Sequence, residues 1–392
     1  MKEVVKKGKE VFVNNYKQFP VVFEYGEGAY LFDIEGKKYL DFVSGIAVNA
    51  LGYNNTELNQ ALKDQIDKFT HCSNLYYNQP SIDAANKLIN GSGLDKVFFC
   101  NSGAEANEAA LKLARKYSKK HFGEDKYEII TMKNSFHGRT IATITATGQE
   151  KYQKGLSPLL PGIKYTEYNN IEALKNIISD HTCAILLEII QGEGGIVTID
   201  SDYLKAVRKL CDEHNLVLIF DEVQTGIGRT GELFAYQLFN VKPDILTLAK
   251  GLGAGIPIGA MVANEKVADG FEPGDHASTF GGNPLACTAA NIILDKLING
   301  DLQSNVKEQG AYLNKKLIEL MNKKDSIIDI RGIGLIQGIA LQNEDISAII
   351  HKCMEEGLLL VGAGSNVIRF VPPLIISEKE IDEAIKILDK CI

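Results

Sequence analysis

The chain has 392 residues, with 50 Asp and Glu against 42 Lys and Arg, a formal net charge of -8 and 45% hydrophobic residues. That length calls for roughly two domains, and no Lys/Arg cluster offers the surface that nucleic acid or an anionic membrane requires. Seven scattered cysteines, none in a C-x-x-C pair, argue against a disulfide framework or a structural zinc site and fit a reducing compartment. No apolar run reaches the length of about 18 residues that spans a membrane. The start, MKEVVKKGKEVFVNNYKQFP, lacks the apolar stretch of a secretory signal, so a cytoplasmic protein is expected.

Lys6, Lys7 and Lys9 read as the solvated face of a terminal helix. Tyr30-Leu-Phe-Asp and Lys38-Tyr-Leu-Asp-Phe flank Gly36, which predicts a hairpin with glycine at its turn. From about residue 80, short apolar runs alternate with helical patterns. The runs are Lys96–Cys100, Tyr127–Met132, Ala184–Ile189, Leu216–Phe220 and Asp244–Ala249. Strands apolar on both faces belong inside a parallel sheet covered by helices, and the segment Tyr203–His214 has helical spacing. The rhythm predicts an α/β domain over about 51–290. Beyond it, a long helix, short strands around 327–341 and 358–372, and a last helix predict a smaller α+β domain over 291–392, to which residues 1–50 contribute.

Open α/β sheets bind ligands at the carboxyl ends of their strands, so the polar residues after each run are the candidates. Ser102-Gly103-Ala104 follows Cys100 and opens a helix. Its free N–H groups suit a phosphate, although an ordinary serine cap with small residues for close packing reads equally from this pattern. Asp221 follows Phe220; a carboxylate there needs a cation, or it is a capping or salt-bridged residue. Lys250 ends another run before a glycine-rich stretch, placed to form an imine if desolvation lowers its pKa, or to snorkel outward. Phe136, His137 and Arg139 follow Met132 and, taken singly, read as core, satisfied imidazole and surface cation. Gly226-Ile-Gly-Arg-Thr-Gly231 matches the dinucleotide pattern G-x-G-x-x-G. It begins five residues past its strand and has no acidic residue at the required spacing, so a nicotinamide site is not expected. No metal site is expected either, since no histidine pair has zinc spacing.

Five strings together carry a resemblance: Cys100-Asn-Ser-Gly-Ala-Glu-Ala-Asn-Glu-Ala-Ala110, Phe136-His-Gly-Arg139, Phe220-Asp-Glu-Val-Gln224, Lys250-Gly-Leu-Gly-Ala-Gly-Ile-Pro and Ser278-Thr-Phe-Gly-Gly-Asn-Pro. In order and spacing they resemble the class III aminotransferases, from about residue 10 to the C-terminus. The resemblance implies the aspartate aminotransferase-like fold (fold type I) of pyridoxal-phosphate-dependent transferases and a homodimer with shared active sites. Lys250 resembles the Schiff-base lysine and Asp221 the partner of the pyridine nitrogen. The stretch Asp221, Glu222, Val223 and Gln224 is implied as cofactor-binding, with Gln224 at the ring hydroxyl and Phe136 on the ring face. Ser102, Gly103 and Ala104 are implied at the phosphate, Thr279 at the phosphate of the other subunit, and Ser278 beside the substrate. Arg139 is implied to bind the substrate's distal carboxylate and Arg369 the carboxylate of 2-oxoglutarate, with Glu193 masking Arg369 while the amine donor is bound.

Within the family, Gly45–Tyr53, Ser73–Pro80 and Val367–Pro373 are similar to the branch of arginine biosynthesis that takes N-acylated ornithine and 2-oxoglutarate. An apolar Ser44-Gly-Ile-Ala-Val48 suits an acylated nitrogen better than an ammonium. Tyr53 stands where that branch usually has histidine. Ornithine, succinylornithine, 4-aminobutyrate or succinyl-diaminopimelate remain open as donors, as does a racemase or decarboxylase on the same scaffold.

Overall fold

The computed structural model describes residues 1–392. Its central feature is a seven-stranded sheet in the order 96–100, 259–263, 245–248, 217–221, 182–188, 128–132, 163–166. The pairings from 245–248 through 163–166 are parallel, whereas 259–263 runs antiparallel to both its neighbours. Successive residues of a strand face opposite sides, and here both sides are apolar. Leu186, Ile219 and Ile245 face one cluster with Leu113 and Tyr117 of helix Gly103–Phe122, and Leu187, Leu218, Phe220 and Leu246 face the other. That double burial is why the runs read as continuous rather than alternating.

Two strands escape the periodicity. Gly259-Ala-Met-Val-Ala263 lies within a glycine-rich stretch and carries a single β-branched residue, and Ile163–Thr166 is short and half-buried. The long helix expected after 290 is two, Pro284–Ile298 and Leu302–Met321, broken at Asn299-Gly300. No helix is long and apolar enough to cross a membrane.

The hairpin forms as expected, Tyr30–Asp33 against Lys38–Asp41 with Gly36 at φ +82°. Leu358–Leu359 then pairs in parallel with Lys38–Asp41, joining the two ends of the chain in one sheet. Another sheet, in the order 327–333, 336–341, 367–370, 361–363, carries Arg369 opposite Gly338. After the hairpin, Ser44, Gly45, Ile46 and Ala47 make one turn of left-handed helix, with φ of 45°, 66°, 64° and 63°. For a residue other than glycine that conformation costs about 1–2 kcal/mol.

The strand bearing Arg369 is held through the neighbouring hairpin and a helix that nearly touches its turn. Gln337 donates to the carbonyls of Gly310 and Gly334, both at 2.7 Å. A Cβ on Gly310 would come within 2.6 Å of the Gly334 carbonyl oxygen. Glycine inside an exposed helix costs about 1 kcal/mol against alanine, so Gly310→Ala would ordinarily stabilise. Here backbone opposes it, and thermal unfolding should show a loss of about 1–3 kcal/mol; a raised Tm would contradict the close approach.

Candidate active site

The carboxyl ends of the parallel strands open on a cavity of about 400 Å³. Ser102, Gly103, Ala104, Phe136, Arg139, Glu193, Asp221, Val223, Gln224 and Lys250 all line it. Segments that follow five strands, far apart in sequence, thus meet in one place.

Lys250 follows strand Ile245–Leu248 with φ +43°. Left-handed backbone at a residue other than glycine stores strain of the kind found at functional sites. Its amine has neither a hydrogen-bond partner nor an ion pair within the protein. Burial pushes its pKa down to about 8; the charge of Glu193 pulls the other way, while Arg369 adds to the depression.

Asp221 is 4% exposed. Its Oδ2 accepts from Asn107 Nδ2 at 2.8 Å and lies 2.7 Å from His137 Nδ1, and its Oδ1 accepts the Val223 N–H at 3.0 Å. Each partner is fixed in turn. Asn107 accepts the Thr247 hydroxyl at 2.7 Å and donates to the His137 carbonyl at 2.8 Å, and His137 Nε2 lies 3.1 Å from Thr131 Oγ1.

At the other end of the cavity, Ser102 caps helix Gly103–Phe122 by accepting from Glu105 N. Gly103 and Ala104, in the first turn, have no carbonyl one turn back to bond, so their N–H groups are free for an anion. A Cβ on Gly103 would come within 2.6 Å of the Val223 side chain, so this cradle requires glycine. The cap reading of Ser102 holds, and the N–H groups beside it remain open to an anion.

Arg369, 1% exposed, donates from Nη1 to Glu193 Oε1 at 2.5 Å and to Gln224 Oε1 at 3.0 Å. Burial pushes the Glu193 carboxyl up, but Arg369 and then Lys250 outweigh it and hold the pKa below the usual value. Arg139, exposed at the cavity, has no carboxylate partner; its guanidinium lies 4.1 Å from the Tyr152 ring centroid and 5.3 Å from that of Phe136.

Four expected residues stand outside the cavity wall: Glu222, Ser278, Thr279, and Arg369, which meets it through Glu193 and Gln224. Glu222 is a correction: neighbouring residues at a strand end point opposite ways, and its carboxylate turns from the cavity to accept the N–H groups of Ala235 and Tyr236, both at 2.7 Å. Ser278 reaches the rim only through Asn101 Nδ2, 3.3 Å from its hydroxyl, and Thr279 beside it is exposed. The Gly226–Gly231 string lies elsewhere, with Arg229 donating to the carbonyls of Leu335 and Pro372.

The sequence reading gave no functional role to His137, Asn107 or Glu188. Asn107 was detectable as a polar residue on the apolar face of a helix, and Glu188 as a charge inside an apolar run. Glu188 lies in register with Asp221 on the next strand, accepts the Phe136 N–H at 3.3 Å, and has its pKa pushed well up by burial and then by Asp221.

A recessed unpartnered amine, a buried carboxylate and an anion cradle on a mostly parallel sheet define a pyridoxal-phosphate-dependent aminotransferase. The class III aminotransferase family matches residues 11–392, and the chain belongs to it. It is 53% identical over 381 residues to the acetylornithine aminotransferase of Caldanaerobacter subterraneus subsp. tengcongensis, covering 97% of each chain. It is 50% identical over 385 residues to that of Methanocaldococcus jannaschii, covering 97% of this chain and 96% of that one. Among solved structures, the ornithine aminotransferase of Toxoplasma gondii superposes with a TM-score of 0.95 at 34% identity, covering 100% and 94% of the two chains. The N-acetylornithine aminotransferase of Stenotrophomonas maltophilia gives 0.85 at 38%, covering 96% of each.

The depressed pKa makes a directional prediction. Only the neutral amine attacks an aldehyde, so covalent capture of pyridoxal phosphate by apoprotein should rise with pH and level off above about 8, not near the ordinary 10.5. Borohydride trapping and peptide mapping should place the label on Lys250; a label elsewhere would refute the assignment.

Proposed function

We propose that the chain transfers the side-chain amino group of N-acetylornithine to 2-oxoglutarate, yielding N-acetylglutamate semialdehyde and glutamate. The observation that carries this reading is the unequal state of two arginines. Arg139 faces the cavity without a carboxylate, while Arg369 is neutralised by Glu193. A donor reacting through its side-chain amine brings one carboxylate far from the reacting carbon, which Arg139 can take as a bidentate pair. A 2-oxo acid also carries a carboxylate beside the reacting carbon, and for it Glu193 swings aside to free Arg369. Val48, lining the same cavity, offers an apolar wall suited to an acylated nitrogen rather than an ammonium.

The residues fit pyridoxal phosphate, which supplies an electron sink when bound. Asp221 would keep a proton on the ring nitrogen, Gly103 and Ala104 would give N–H groups to the phosphate, Phe136 would cover a ring face and Gln224 would meet the ring hydroxyl. Lys250 Nζ would hold the cofactor's aldehyde carbon, and as a neutral amine it is the group placed to move a proton at the substrate carbon. Placement in arginine biosynthesis follows from the donor. A reducing, cytoplasmic setting is supported by seven free thiols, six of them buried.

Thr279, exposed and outside its own cavity wall, is assigned to the cofactor phosphate of a second copy. Support comes from exposed Leu75, Tyr76, Tyr77 and Phe280, brought together by Asn74, which donates to the carbonyls of Ser278 and Gly281, both at 2.9 Å. A homodimer by sedimentation, and cofactor affinity weakened by Thr279→Ala, are the expected results.

Two substitutions test the chemistry. Asp221→Asn removes the anion and should slow turnover by about 10² or more with the fold intact, each 1.36 kcal/mol of barrier being tenfold. Glu193→Ala should slow the N-acetylornithine half-reaction and admit α-amino donors such as glutamate. Equal slowing of both half-reactions with unchanged donor preference would refute the gate. A panel of amine donors with 2-oxoglutarate decides the substrate.

A further inference from the structure

The left-handed turn Ser44–Ala47 needs something to hold it, because three of its four residues carry a Cβ that crowds the following carbonyl. Ser44 and Ala47 are buried, but the side of the turn that Gly45 and Ile46 present is not packed. A cavity of about 490 Å³, distinct from the catalytic one, lies against it, lined in part by Val43, Gly45, Ile46, Tyr53 and Met354. Hydrogen bonds supply the restraint.

Asp41, 1% exposed, accepts through Oδ1 the N–H groups of Val43 at 2.8 Å and Ser44 at 2.9 Å. The Tyr53 hydroxyl donates to Asp41 Oδ2 at 2.5 Å and accepts from Asn49 Nδ2 at 3.1 Å. Inside the turn, the Ser44 carbonyl takes the N–H groups of Val48 and Asn49, both at 2.8 Å. One phenol therefore ties the entry of the turn, through Asp41, to its exit, through Asn49. The ring has its place because residue 26 is glycine, where a Cβ would fall 2.5 Å from Tyr53 Cγ. Burial and then Asp41 push the phenol pKa well up, so it stays a donor over the working pH range. The residue after the turn is Val48, in the wall of the catalytic cavity.

We propose that Tyr53 is a positioning residue for the donor side of the active site: its hydroxyl locks the left-handed turn and thereby fixes the apolar wall that Val48 presents to the acylated end of the donor. Without the lock the turn relaxes toward the cavity against it and Val48 withdraws. The contact with the acyl group rests on the function proposed above; the lock does not.

The test compares wild-type holoenzyme, Tyr53→Phe, and Tyr53→Phe combined with Ile46→Gly, which makes left-handed backbone easy at that position. Hydrogen exchange is read at the Val48 and Asn49 amides, and each half-reaction is timed separately. Tyr53→Phe should speed exchange at both amides about tenfold and raise KM for N-acetylornithine about tenfold, the ratio that losing one ordinary hydrogen bond produces. The rate of the 2-oxoglutarate half-reaction should stay within about twofold on the same scale. The double variant should recover much of both losses. Unchanged exchange overturns the lock. Faster exchange with unchanged KM, or equal damage to both half-reactions, overturns the positioning role. If wild-type enzyme rejects N-acetylornithine, the function above fails, while the exchange comparison still decides the lock.

Discussion

Asp221 ends a strand whose other residues, Val217 to Phe220, are apolar and buried, and a carboxylate in that position must be met by donors or by a cation. Donors come from three directions: Asn107 on the helix after the first strand of the domain, His137 on the loop after another, and the backbone of Val223. Meeting those bonds fixes helix Gly103–Phe122 against strand 217–221 and sets Phe136, next to His137, over the cavity. The free N–H groups at Gly103 and the Phe136 ring are thus placed relative to one carboxylate. Electrostatic catalysis depends on such groups being fixed before the reaction begins.

Charge in the cavity is balanced by giving neighbouring acids opposite states. Glu188 and Asp221 lie in register on adjacent strands; burial and the Asp221 charge push Glu188 toward the protonated form. Glu193, five residues later, stays ionised because Arg369 outweighs the cost of its burial. The same surroundings lower the Lys250 pKa without neutralising its amine altogether. The site thus sets an acid pushed toward its neutral form beside an ion pair and an amine whose pKa has fallen to about 8.

Much of this was legible in the chain itself. Five of the seven strands were visible because burial leaves unbroken apolar runs, and the residues just past those runs are the ones that line the cavity. The missed strand Gly259–Ala263 shows the limit: its glycine and alanines lack the bulk that marks a strand, yet they let the neighbouring chain approach, with the Ser102 carbonyl 2.4 Å from where a Cβ on Gly259 would stand. Glu222 shows another. Its neighbours Asp221 and Val223 line the cavity, and only the pleat of the backbone decides that its own carboxylate turns away to cap Ala235–Phe239.

Local order in the sequence therefore determined most of the elements and the class of fold, because periodicity and turn chemistry act over a few residues, whereas the roles of Lys250, Asp221 and the Gly103 turn were implied by the family resemblance that five strings carry together. Tertiary structure decided which of the arginines is free. The family resemblance implied different tasks for Arg139 and Arg369, 230 positions apart, but only the fold carries Glu193 and Gln224 to Arg369 while Arg139 meets two aromatic rings. Tyr53 is the same kind of case. Its hydroxyl gains meaning only when Asp41 and Asn49 come within hydrogen-bond reach of it across a left-handed turn, since pairwise electrostatics depends on distance in space and not on separation along the chain.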